Sequence, residues 1–180
     1  MRVLGLDPGS RRTGFGVVEG EGNKFRSLQH GRVVPGAKLD LPRRLHAIVE
    51  RVGAIMDEYH PDCVAVEEAF YHENVRSTLV LGHVRGALLV AAVSRGLEVA
   101  EYSPREVKLS VTGRGGASKD QVAFMVDRVL GLRRPLPEDA ADALAVALCH
   151  HHRAHRLAPA RAASAAARTL EALLARRRAT

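Results

Sequence analysis

Apolar and polar positions along the chain change period several times, and each change marks an element. Residues 3–6 form a short apolar run that Pro8 and Gly9 stop abruptly, which predicts a buried strand. Further strands are predicted over 13–19, where Gly14 and Gly16 lie between apolar residues, and over 25–34, after the turn Glu21-Gly22-Asn23. The period then switches to three and four residues. Leu41, Leu45, Ile48, Val52, Ile55, Met56 and Tyr59 share one helical face, with Asp40 placed to cap it. Pro61 and Asp62 end that helix, and Cys63-Val64-Ala65-Val66 reads as a buried strand stopping at Glu67 and Glu68.

Residues 74–95 predict a long helix capped by Asn74. It is apolar nearly all round, through Val75, Leu79, Val84, Leu88 and Val93, so it is either central or shared with a partner subunit. Gly82, Gly86 and Ala87 leave room on it for a close approach. A fifth strand follows over 97–102. Ser103-Pro104-Arg105-Glu106 combines a capping box with proline at the first helical position, and Ser118-Lys119-Asp120-Gln121 repeats the box. Pro137 and Glu138 open a last helix that carries Asp139 and Asp142. The order βββαβαβααα predicts an α/β domain with one five-stranded mixed sheet flanked by helices. Strands one to three should be antiparallel, and strands four and five should join by helical crossovers, parallel to the first. The domain is expected to span 1–155. Residues 156–180 are rich in alanine and arginine, with an apolar face only at Leu170, Leu173 and Leu174, and are expected to be poorly ordered or marginally helical.

Composition changes this picture in two places. The net charge of +7 and a pI near 10.1 suggest an anionic partner, but residues 151–180 alone carry +6 and the rest only +1. Any nucleic-acid surface on the body must therefore be local. No apolar run is long enough to span a bilayer and no signal-peptide pattern opens the chain, so an intracellular, cytoplasmic protein without a membrane partner is expected. The two cysteines, Cys63 and Cys149, form no CxxC pair and are expected in the core.

The candidate chemistry is acidic. Asp7 and Glu67 sit at the carboxyl ends of strands one and four, where ligands of α/β sheets bind. Asp139 and Asp142 are three residues apart and share a face of an alanine- and leucine-rich helix. Taken singly, each acid has an ordinary explanation. Asp7-Pro8 can be a turn, Glu67 a solvated strand end, and Asp139 a helix N-terminal charge. Asp142, past the first turn in apolar surroundings, is hardest to explain without a counter-charge. A Mg²⁺ or Mn²⁺ ion supplies one, because hard cations prefer oxygen ligands. Strand alternation points Glu68 away from Glu67.

Gly5-Leu6-Asp7-Pro8-Gly9-Ser10-Arg11-Arg12-Thr13-Gly14-Phe15-Gly16 resembles the opening motif of the RuvC family of bacterial Holliday-junction resolvases. Ala65-Val66-Glu67-Glu68-Ala69-Phe70 resembles that family's second acidic motif, and Asp139-Ala140-Ala141-Asp142-Ala143-Leu144-Ala145 the third. The resemblance runs from residue 1 to about 152 and leaves out the tail. It implies an RNase H-like fold, a homodimer, and an endonuclease that makes paired symmetric nicks in four-way junctions. Asp7, Glu67, Asp139 and Asp142 would be both the catalytic residues and the ligands of two metal ions. It also implies cooperation with the RuvA–RuvB branch-migration complex. Helix 82–95 is then the candidate dimer interface.

Lys108 and Lys119 stand out among four lysines and 23 arginines. Both are expected in helix first turns flanking Gly113-Arg114-Gly115-Gly116-Ala117, a natural phosphate cradle. This stretch also resembles the family's DNA-contacting segment. Arg76, Arg114, Arg11 and Arg12 are further phosphate candidates. Phe70 resembles an aromatic that the family associates with the junction core, where it would stack on a base. His150, His151, His152 and His155 are expected to decorate a helix C-terminus or touch DNA weakly. An Asp-x-Gly hairpin also opens sugar kinases and actin-like ATPases, which need a second similar domain that 180 residues do not accommodate.

Overall fold

A computed structural model describes residues 1–68, 74–132 and 136–155. Its centre is β1 (Arg2–Asp7), whose alternating side chains serve two layers. Leu4 and Leu6 turn to one face of the sheet and Val3 to the other, and all three are fully buried. β1 pairs antiparallel with β2 (Thr13–Glu21), which pairs antiparallel with β3 (Lys24–Val33). On its other side β1 runs parallel to β4 (Cys63–Glu67), and β4 parallel to β5 (Glu98–Tyr102). The sheet order is β3-β2-β1-β4-β5, the mixed sheet that the hydrophobic pattern predicts.

Helices α1 (Leu41–Tyr59) and α2 (Val75–Val93) cover the Leu4–Leu6 face through Ile48, Val52, Val84 and Leu88. The opposite face is covered by α3 (Pro104–Thr112), α4 (Lys119–Leu130) and the helical residues 138–155, here α5. Each fully buried Leu or Val contributes about 1.5–3 kcal/mol, so the two clusters dominate stability. The caps are where the sequence puts them. Asp40 accepts from the Arg43 N–H, and both Ser103 with Glu106 and Ser118 with Gln121 close capping boxes. Cys63 and Cys149 are buried.

The long apolar helix is not central. α2 buries only Val84, Leu88, Ala91 and Ala92, while Leu79, Val90 and Val93 are each more than 60% exposed. A Cβ at Gly82 or Gly86 would meet nothing. Among the described residues α2 is also the one helix long and apolar enough to cross a bilayer, by length and composition alone. The expected tail, 156–180, lies outside the described residues.

Candidate functional site

Parallel pairing sets the first two acids level. Leu6 lies opposite Val66, so the residues that follow, Asp7 and Glu67, emerge together at the carboxyl ends of adjacent strands. Buried Thr13 pins the intervening loop by donating from Oγ1 to the Gly9 carbonyl at 2.8 Å. The other two acids arrive because α5 lies directly on the sheet. At Gly5 a Cβ would collide with the Ala143 carbonyl, and at Gly14 with the Asp139 carbonyl. Only glycine permits that approach. It brings Asp139 and Asp142, one turn apart, to the strand ends.

The electrostatics show a deficit of positive charge. Burial, then the charges of Asp142, Glu67 and Asp139, raise the Asp7 carboxyl from 3.8 to about 7, with Lys119 opposing. Glu67 is raised by burial and by Asp142, against Lys119 and Lys108. Asp142 is raised by burial, against the charge and hydrogen bond of Lys119. Asp7, Glu67, Asp142, Lys108, Lys119 and Arg85 all line one cleft of about 450 Å³. Asp139 is not part of its wall, yet its charge reaches Asp7. Among the described residues no three acidic or imidazole side chains close on a single point as a metal cage. Lys119 takes up part of Asp142. Oxygen donors with uncompensated charge fit a hard divalent cation.

Two expectations need correction, the facing of Glu68 and the turn that carries Lys108. Glu68 does not turn away from the cleft but lines it: β4 ends at Glu67, so strand alternation no longer applies, and the Glu68 N–H donates to the Tyr102 carbonyl at 2.8 Å. Lys119 is in the first turn of α4, but Lys108 lies in the second turn of α3 and reaches the cleft from its side. Lys119 Nζ is not a free surface charge, because it contacts Glu138 Oε1 at 2.5 Å and Asp142 Oδ2 at 3.3 Å. Arg114 is exposed beside a separate groove with Thr112 and Phe124, and Arg76 is exposed in the first turn of α2, outside the cleft wall. Phe70 falls outside the described residues.

Two residues at the site were missed, Arg85 in the cleft wall and Glu138 outside it. Arg85 lines the cleft, pairs with Glu101, and has a buried Nε that meets no partner among the described residues. Its signal was an arginine within an apolar helix, the same anomaly that marked Asp142. Glu138 was noticed only as a helix opener. Three of the four histidines do not decorate a helix end, while His155 is exposed at the last described residue of α5. His151 is 4% exposed, with Nε2 3.1 Å from the Val18 carbonyl, where a register shift interrupts the β2–β3 ladder. His150 Nδ1 meets the Tyr102 hydroxyl at 2.9 Å, and His152 Nδ1 meets Ser110 Oγ at 3.0 Å. Together they fasten α5 to three elements, and burial lowers the pKa of His150 and His151.

The sheet order, with acids at the ends of β1 and β4 and on the helix laid across them, defines an RNase H-like nuclease. The family description "Crossover junction endodeoxyribonuclease RuvC" matches residues 3–150, and the chain belongs to this family. The relative of that name from Syntrophomonas wolfei is 46% identical over 153 residues, covering 84% of this chain and 89% of the relative. The one from Trichlorobacter lovleyi is 49% identical over 150 residues, covering 83% and 84%. The solved structure of T. thermophilus RuvC with a Holliday junction substrate aligns with a TM-score of 0.82 and 38% identity, covering 87% of this chain and 96% of that one. The yeast mitochondrial Holliday junction resolvase Ydc2, at 16% identity and a TM-score of 0.63, shares the fold.

Proposed function

We propose that this chain resolves four-way DNA junctions by metal-dependent hydrolysis, making paired symmetric nicks that leave 5′-phosphate and 3′-hydroxyl ends. The carrying observation is that Asp7, Glu67 and Asp142 line one cleft, with the Asp139 charge reaching Asp7 and too little positive charge to neutralise them. Those four side chains would hold two Mg²⁺ or Mn²⁺ ions. Such ions supply Lewis acidity and a deprotonated water at neutral pH. The chain's own residues do the rest. Gly5 and Gly14 fix the spacing of the acids, and Lys108, Lys119 and Arg85 present cations to a phosphate entering the cleft. Arg114 and Arg76 extend the basic surface outside it, and Phe70 is assigned to the junction core by family resemblance.

Two symmetric cuts require two sites, which a twofold dimer supplies. The apolar, uncovered face of α2, with Leu79, Val90, Val93 and the open Gly82 and Gly86, is the interface we assign. Membership of the family supports work in the cytoplasm alongside RuvA–RuvB, and the basic residues of 156–180 would add nonspecific DNA affinity. The test is cleavage of a mobile four-way junction beside linear duplex and RNA–DNA hybrid. Selective, paired, ligatable nicks support the reading. Preferential cutting of the hybrid would assign the chain to another RNase H-like activity.

A further inference from the structure

Glu138 precedes the acidic pair on α5 and is 68% exposed, yet it holds the shorter of the two contacts made by Lys119. The Lys119 ammonium stands between two carboxylates with different tasks. Asp142 lines the cleft and faces Asp7 and Glu67, while Glu138 stands outside its wall. An ammonium drawn fully onto Asp142 would neutralise it and occupy the space that a divalent ion needs. At 2.5 Å from Glu138 and 3.3 Å from Asp142, Lys119 is biased outward. Its anchor is the first turn of α4, capped by Ser118, and its side chain is largely exposed.

We infer that Glu138 is a positioning residue of the nuclease site, holding Lys119 at the rim so that Asp142 stays available to a divalent cation. The inference rests on the metal-site reading given above. Glu138 touches neither substrate nor reacting atoms in this role and acts only through Lys119. An incoming DNA phosphate competes with Glu138 and Asp142 for the same ammonium, and the lysine that follows the substrate leaves both carboxylates. Removal of the Glu138 charge should send Lys119 to Asp142 and weaken metal binding about 1.5-fold to fivefold, the range expected for an exposed ion pair.

The test is a double-mutant cycle on the full chain, read by Mn²⁺ affinity from electron paramagnetic resonance without DNA. Glu138→Gln should weaken Mn²⁺ binding and raise the Mn²⁺ concentration needed for half-maximal cleavage, with junction affinity unchanged or tighter. In a Lys119→Met background the same substitution should do almost nothing, because no ammonium remains to be positioned. Unchanged Mn²⁺ affinity in Glu138→Gln overturns the proposal. So does an equal loss with and without Lys119, since Glu138 would then act through its own charge. Absence of Mn²⁺ binding by the unsubstituted chain overturns the metal site itself and this role with it.

Discussion

Replacing Asp7 by asparagine should stabilise the metal-free protein while removing its activity. The Asp7 carboxyl titrates at about 7 in the fold against an ordinary 3.8. Between those values the folded protein keeps a proton that the unfolded chain has released, so stability falls as pH rises through this window. At about 1.4 kcal/mol per unit, the penalty fully developed above pH 7 is about 4 kcal/mol. Asparagine avoids that charge but still buries an amide, which returns roughly 1–2 kcal/mol. The expected net gain near pH 8 is about 2–3 kcal/mol, or roughly 5–10 °C in Tm for a domain of this size. Near pH 4 the charge penalty has all but vanished while the buried amide still costs the variant, which should be about 1 kcal/mol the less stable of the two. Urea titrations in EDTA at both pH values measure the difference directly. Adding Mg²⁺ should then raise the stability of the native protein more than that of the variant, since only a bound ligand stabilises the fold. A variant no more stable than the native chain near pH 8, or a gap that does not grow with pH, would refute the reasoning.

Other substitutions separate the roles of neighbouring residues. Gly14→Ala places a Cβ against the Asp139 carbonyl; it should cost about 1–3 kcal/mol and slow single-turnover cleavage about 10- to 100-fold with the circular dichroism unchanged. Native cleavage rates from that variant would show that the helix–sheet spacing does not set the site. His151→Ala removes a buried ring and orphans the Val18 carbonyl, and a loss of about 2–4 kcal/mol is expected in urea unfolding; a loss under about 0.5 kcal/mol would make the contact incidental. Lys108→Ala should weaken junction binding and reduce the salt slope by about one, and an unaltered slope would remove Lys108 from the DNA surface.

The sheet was legible because its strands alternate or run apolar between strong stops, and because each helix carries its own cap. Asp7, Glu67, Asp139 and Asp142 were legible for a related reason: charges at strand ends and in an alanine-rich helix break the local pattern. What stayed hidden depends on contacts distant in sequence. Gly5 and Gly14 read as strand interruptions until α5 is seen lying on them. Three adjacent histidines look like a polar helix end, yet each meets a different element, since successive helical residues point about 100° apart. Lys119 reads as a phosphate ligand from its place at a helix start, whereas its two carboxylate partners come from α5, 19 and 23 residues away. Glu68 misled because alternation was extended one residue past the end of β4.

The most direct measurement is single-turnover cleavage of a four-way junction by Asp142→Asn protein, at concentrations where junction binding is saturated and Mg²⁺ is present. Asp142 is the acid that lines the cleft from within an apolar helix. Binding comparable to the native protein with cleavage reduced by several orders of magnitude, matched by native protein in EDTA, is the predicted result. Cleavage by the variant at the native rate would contradict a carboxylate-held metal centre as the source of this chain's activity.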